Sequence, residues 1–290
     1  MISTFYKILI GTTLVGVTTG ILGCFTLLNK QSLLGDTIAH ATFPGLTGMF
    51  LIILQKSYAL LLFGAAVSGL FGAFCVHHIT QTTKLKKDAA LGIVLSTFFG
   101  LGIMFLTMIQ KLPNAHQSGI DKFLFGQAAT LLYSDIVSIV IISLIVITSI
   151  VYLWKELKVI TFDPVYAQAI GLPVKKIHGI LIFLIVLTVI VGLQTVGLIL
   201  MSSFLIAPAA AARQWTNSLS TTVFLSILFS IISTTSGTII SCNYPNIPTG
   251  PTIVIIATTI TLVSIIIAPS GKITEKIKGF CNLSKGNKCL

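Results

Sequence analysis

Asp36 and His40 stand four residues apart in Gly35-Asp36-Thr37-Ile38-Ala39-His40-Ala41-Thr42-Phe43-Pro44-Gly45, inside a segment that otherwise reads as a membrane span. On a helix, positions four apart share one face, one turn from each other. A carboxylate oxygen and an imidazole nitrogen are the ligand pair for borderline divalent metals such as Zn²⁺, Mn²⁺ and Fe²⁺. An ionised aspartate at the centre of a bilayer helix costs about 2.5–3.5 kcal/mol even on the lenient insertion scale, so it needs an ion path, a counter-charge or a water-filled cavity beside it. Pro44 and Gly45 are expected to weaken or break the helix and to expose backbone carbonyls. Those carbonyls, water or a second subunit would complete a site for which this pair supplies two ligands. On these residues alone three readings stay open: a metal pathway, a structural polar pair in which Asp36 caps a broken helix, and a proton relay.

Composition says what must position the pair. The chain has 290 residues, 9% of them charged, and a mean hydropathy of +1.01; a soluble domain carries about 25% charged residues. Apolar runs recur from Phe5 to Ala268. They are continuous rather than alternating, which predicts an all-α polytopic bundle and not a transmembrane barrel. The expected spans are 5–28, 33–54, 57–79, 89–110, 131–154, 178–195, 197–212, 218–240 and 251–268. That makes about nine, or eight if the sixth and seventh are one kinked span. Each except the short seventh is near the roughly 20 residues that cross a bilayer.

Charge supports nine. Lys84, Lys86, Lys87, Lys155, Lys158, Lys175, Lys176, Arg213 and the tail lysines 272, 276, 278, 285 and 288 all become cytoplasmic with nine spans and an outside N-terminus. Lys56, Lys111 and Lys122 are then exceptions on the outer side. The net charge of +11 therefore sits in short loops and the tail, which argues against nucleic acid as a partner. Residues 1–270 form the transmembrane domain, and 271–290 a basic cytoplasmic tail. Ile21-Leu22-Gly23-Cys24 resembles a lipoprotein cleavage box, but the apolar run continues to Leu28, so an uncleaved span is expected. The five cysteines show no CxxC pair.

Between the fifth and sixth spans, Asp163-Pro164-Val165-Tyr166-Ala167-Gln168-Ala169-Ile170-Gly171-Leu172-Pro173 predicts a short helix over 163–171. Asp163 suits the N-cap, Pro164 the first helical position, Gly171 the C-terminal cap, and Pro173 blocks continuation. A helix this short needs a docking surface. His77, His78, His116 and His178 read as loop or interface residues, and Asp88, Asp121 and Asp135 as caps or water-facing groups. No G-x-x-x-x-G-K-[ST], H-E-x-x-H or G-x-S-x-G occurs, so neither a P-loop ATPase nor a familiar hydrolase is indicated.

In this order, several motifs resemble the integral-membrane permeases of bacterial ATP-binding-cassette (ABC) importers for zinc, manganese and iron. They are Gly35-Asp36 with His40-Ala41 and Pro44-Gly45; Lys87-Asp88-Ala89-Ala90-Leu91-Gly92-Ile93; Asp121-Lys122-Phe123-Leu124-Phe125-Gly126; Phe162-Asp163-Pro164 with Ala167 and Ala169-Ile170-Gly171-Leu172-Pro173; Pro208-Ala209-Ala210 with Ala212-Arg213; and Pro248-Thr249-Gly250. Ala39, Ala207 and Pro251 depart from residues common in that family, which leaves substrate preference open. The resemblance implies a type II ABC importer permease fold with no ATPase site of its own. It also implies no permanently bound cofactor and a divalent metal ion as cargo. Asp36 and His40 would line the pathway. A second permease subunit, identical or related, would pair with this one. Two ATPase subunits would grip helix 163–171 through Asp163, Pro164, Ala167, Ala169, Gly171 and Leu172, and an extracytoplasmic metal-binding protein would deliver the ion. The location implied is the bacterial plasma membrane. The alternatives are a permease for an iron chelate or vitamin, with a wider and less charged pathway, and a stand-alone cation carrier, which would move ions without an ATPase.

Overall fold

The structure, a computed structural model, describes residues 2–53, 58–111, 126, 133–244 and 247–268. The tail 271–290, His116, Asp121, Lys56 and Lys122 lie outside them. Among the described residues the regular elements are helices: α1 (Ile2–Leu28), α2 (Leu33–Ile53), α3 (Tyr58–Thr82), α4 (Lys87–Gln110), α5 (Tyr133–Tyr152), α6 (Trp154–Phe162), α7 (Pro164–Ala169), α8 (Val174–Thr195), α9 (Leu198–Trp215), α10 (Leu219–Asn243) and α11 (Thr249–Ile267). Nine of these are long and fall on the nine expected segments. Eight are long and apolar enough to cross a membrane. The ninth is α2, whose Asp36, His40, Pro44 and three threonines dilute its apolar character. The sixth and seventh segments are separate helices, α8 and α9, parted at Gly197 with φ +94°, a conformation that favours glycine.

Cross-helix contacts fix the directions. Thr12 meets Thr238 at 3.1 Å while Ser226 donates to the Gly20 carbonyl at 2.8 Å, so α1 and α10 run antiparallel. Ser68 donates to the Ala41 carbonyl while Gly45 faces Gly64, so α2 and α3 run antiparallel. Thr37 donates to the Leu91 carbonyl at 3.4 Å while Phe43 meets Gly102, so α2 and α4 run parallel. The resulting up-and-down bundle gathers the α1–α2, α3–α4, α5–α8 and α9–α10 connections at one end. That end carries Lys30, Lys84, Lys86, Lys87, Lys155, Lys158, Lys175, Lys176 and Arg213.

Helix α2 packs against α3, α4, α8 and α9. Twelve of its residues are buried, from Leu34 to Phe50. It also corrects an expectation: α2 is continuous through Pro44 and Gly45 rather than broken there. Proline removes one backbone donor, which leaves the His40 carbonyl without its helical partner, while a neighbouring helix bonds the next carbonyl along. Ser68 on α3 donates to the Ala41 carbonyl at 2.6 Å. Around Pro208, α9 is likewise continuous, and Thr261 on α11 donates to the Ala207 carbonyl at 2.8 Å. Gly45 serves close approach instead: a Cβ there would fall on the Gly64 carbonyl oxygen. In lipid such small-residue contacts let two backbones touch.

That seam sets a prediction. At Gly64 a Cβ would stand 2.6 Å from the Gly45 oxygen and 2.8 Å from the Met49 Cβ, whereas at Gly100 it would meet nothing within 4 Å. Gly64→Val should destabilise the detergent-solubilised protein by about 1–3 kcal/mol or more, read as a lower melting temperature, and Gly100→Ala should not.

Candidate functional site

Asp36 sits in the first turn of α2 and His40 one turn later. Their side chains share a face: His40 Nε2 lies 3.4 Å from Asp36 Oδ1, with 14% of the histidine side chain and 28% of the aspartate exposed. The pair is therefore shielded but reachable, on the one stripe of α2 that its neighbours leave partly open. On one side is α4, where Phe99 meets the imidazole edge-to-face at 4.7 Å between ring centres. On the other is α9, where Ser202 is a polar neighbour of the Asp36 carboxylate. The separation of 3.4 Å exceeds the roughly 2.7–2.9 Å of a strong charge-assisted hydrogen bond. A divalent cation that displaces this long contact would take a carboxylate oxygen and the deprotonated Nε2 as its ligands.

One copy of the chain supplies these two ligands and no more nearby: among the described residues no group of three or more His, Cys, Asp and Glu is placed to hold a metal. The expected carbonyls of an opened helix are not there, since α2 is unbroken and the Ala41 carbonyl is bonded by Ser68. Pro44 contributes differently. It has no N–H, so the carbonyl of His40, four residues back, lacks its usual helical donor. Water, that carbonyl or a second subunit would complete the coordination of an ion.

The other described histidines stay apart from this pair. His77 and His78 are exposed at the end of α3. His178 is half-buried at the start of α8, and its electrostatic neighbours are Lys87 and His77; an ammonium there repels a metal cation. Asp88 is exposed in the first turn of α4. Asp135, expected to face water or cap a helix, is buried in the first turn of α5.

At the lysine-rich end, α7 has the ends its sequence predicts. Asp163 Oδ1 accepts from the amides of Val165 at 3.1 Å and Tyr166 at 2.9 Å, and Pro164 opens the helix. At the far end Gly171 has φ +82°. Its amide donates to the Gln168 carbonyl and that of Leu172 to the Ala167 carbonyl, both at 3.0 Å, the paired bonds of a Schellman cap. Ala167 is fully buried. It therefore touches its own chain and seats the helix, rather than meeting a partner as its place in the motif suggested. Leu172 is half-buried, while Asp163, Pro164, Ala169 and Gly171 are exposed. Phe162, Val165, Tyr166 and Ile170, to which the sequence reading gave no role in gripping a partner, are large and exposed. Helix α6 was also missed: it follows α5 after a single residue, Leu153, and is anchored by buried Leu157 and by Trp154 edge-on to Phe25.

Residues 1–268 match the ABC 3 transport family. The chain is 45% identical over 269 residues to the manganese transport system membrane protein MntC of Bacillus subtilis, covering 93% of this chain and 62% of that relative's length. It is 44% identical over 266 residues to the zinc transport system membrane protein TroC of Treponema pallidum, covering 92% of this chain and 89% of that one. The solved structure of PsaBC from Streptococcus pneumoniae in complex with Fab superposes with a TM-score of 0.80 at 31% identity, over 94% of this chain and 98% of that chain. A structure described as an inward-facing conformation of a putative metal-chelate type ABC transporter shares the fold, with a TM-score of 0.69 at 15% identity over 90% of this chain and 85% of that chain.

Proposed function

The chain belongs to the ABC 3 transport family, and from that premise we propose that it is the membrane-spanning permease of an ATP-driven importer for a divalent transition-metal ion, Zn²⁺, Mn²⁺ or Fe²⁺. The observation that carries the choice of cargo is the Asp36–His40 pair, half-shielded between α4 and α9 with its two ligand atoms 3.4 Å apart. A cation entering between them replaces a long, weak contact with two short ones. Asp36 supplies the charge that offsets partial dehydration, and His40 supplies the nitrogen donor suited to borderline metals. Two protein ligands hold an ion loosely enough to let it go, as conduction requires. A second permease subunit, identical or related, brings its own pair to the other wall of the pathway.

The lysine-rich end faces the cytoplasm in this reading, as the positive-inside rule directs, and the tail 271–290 follows α11 on that side. The sequence carries no P-loop motif, and in this reading separate ATPase subunits dock on α7. Exposed Phe162, Val165, Tyr166 and Ile170 offer the apolar surface for it, which a chain without a partner would leave in water. The two capped ends keep α7 rigid, so force applied to it moves the bundle instead of unwinding the helix. An extracytoplasmic metal-binding protein delivers the ion at the opposite end. ATP binding and hydrolysis then open the pathway to one side and the other in turn.

Two measurements test this. Asp36→Ala should reduce initial uptake of labelled metal to background in cells carrying the complete importer, with the protein still present in the membrane; normal uptake would reject the pair as the pathway. Val165→Ala with Tyr166→Ala should release the ATPase subunits from the purified complex, and Asp163→Ala, which removes a cap worth about 0.5–2 kcal/mol, should weaken their hold partially. Retention of the ATPase by the double variant at wild-type levels would move the docking surface elsewhere.

A further inference from the structure

Resting on that reading, one feature of the site still lacks a cause: what aims His40. Its two ring nitrogens have different surroundings. Nε2 faces Asp36. Nδ1 is shut off from solvent and has no hydrogen-bond partner. A histidine that holds a resident metal almost always donates its second N–H to a carboxylate, carbonyl or water, and that bond sets the ring's direction. Here no such bond exists, so the direction of the ring rests on the 3.4 Å contact to Asp36 and on packing. The ring packed on it is Phe99, at 4.7 Å between centres with the planes 74° apart.

Phe99 is itself held. It stacks on Phe43 at 6.3 Å with the planes 30° apart, and Phe43 is fully buried. Phe43 in turn lies against Gly102 of α4, where any Cβ would run into its ring. Three rings therefore form a connected stack, backed by the α4 backbone and ending on the imidazole. We propose that Phe99 is the positioning residue of the metal site. It orients the His40 ring so that Nε2 alone is presented to the ion beside Asp36. An aromatic edge-to-face contact can do this without competing for the Nε2 lone pair, because it neither donates to nor accepts from that nitrogen. It also leaves the imidazole without the hydrogen bond that would raise its basicity and tighten its grip, which suits cargo that must leave.

The test is initial-rate uptake of labelled Mn²⁺ and Zn²⁺ against concentration, in cells carrying the complete importer with Phe99→Leu or Phe99→Tyr. Phe99→Leu should raise the apparent KM for the transported ion about two- to tenfold, the factor an aromatic pair of this geometry supplies, with the maximal rate per importer within about twofold. Phe99→Tyr keeps the ring and should keep the wild-type KM. A Phe99→Leu importer with unchanged KM and a lowered maximal rate would make Phe99 a packing residue and overturn the inference, as would Phe99→Tyr impaired as severely as Phe99→Leu. Should Phe99→Leu fail to reach the membrane, Phe99→Met fills more of the space without a ring and carries the same expectation. Asp36→Ala in parallel separates the two claims: loss of uptake there with unchanged KM in Phe99→Leu overturns this inference alone, while uptake intact in Asp36→Ala removes the site itself.

Discussion

A carboxylate and an imidazole one turn apart cannot face lipid, and the arrangement of the bundle follows from that constraint. The cost of an exposed charge in hydrocarbon is several times thermal energy. The helix that bears the pair is accordingly wrapped by α3, α4, α8 and α9. Its open stripe carries the two functional groups, and its remaining surface is apolar or small. Eight other helices among the described residues are long and apolar enough to cross a membrane, so the polar pair is carried by the one long helix that is less apolar.

Packing within the bundle relies on small residues and hydroxyls. Gly16 and Gly20 of α1 lie against Ser226, Ser230 and Thr234 of α10, and Gly23 against the Leu205 backbone of α9. Burying more apolar surface gains little between helices already in lipid, so close backbone approach and hydroxyl bonds carry the association. Pro44 and Pro208 both sit inside continuous helices, with hydroxyls of neighbouring helices on the Ala41 and Ala207 carbonyls.

Much of this was legible before any coordinates. Nine apolar segments and the lysine distribution placed the long helices within a few residues, since length and hydropathy are what a bilayer selects. Asp163, Pro164 and Gly171 announced α7, because caps are local chemistry. Asp36 and His40 stood out as charge where charge is expensive. Three things were not legible, and each depends on a neighbour distant in sequence. The continuity of α2 through Pro44 goes with the helices packed around it. Ala167 faces inward because of what α7 lies on. Phe99 is one of 18 phenylalanines, and nothing in its local sequence marks it as the ring that touches His40. The polar Ser202-Ser203 step in an otherwise apolar helix was the available hint that α9 also borders the pair.

The contact between Gly45 and Gly64 has a mechanical consequence. Two main chains that touch directly leave no cushion of side chains to deform, so α2 and α3 cannot slide past one another and travel as one rigid lever. Any rearrangement that changes access to the acid and imidazole must then be taken up on the opposite flank, where α4 and α9 meet α2 through rings, aliphatic tips and a serine. Such surfaces re-pack more readily than two touching main chains.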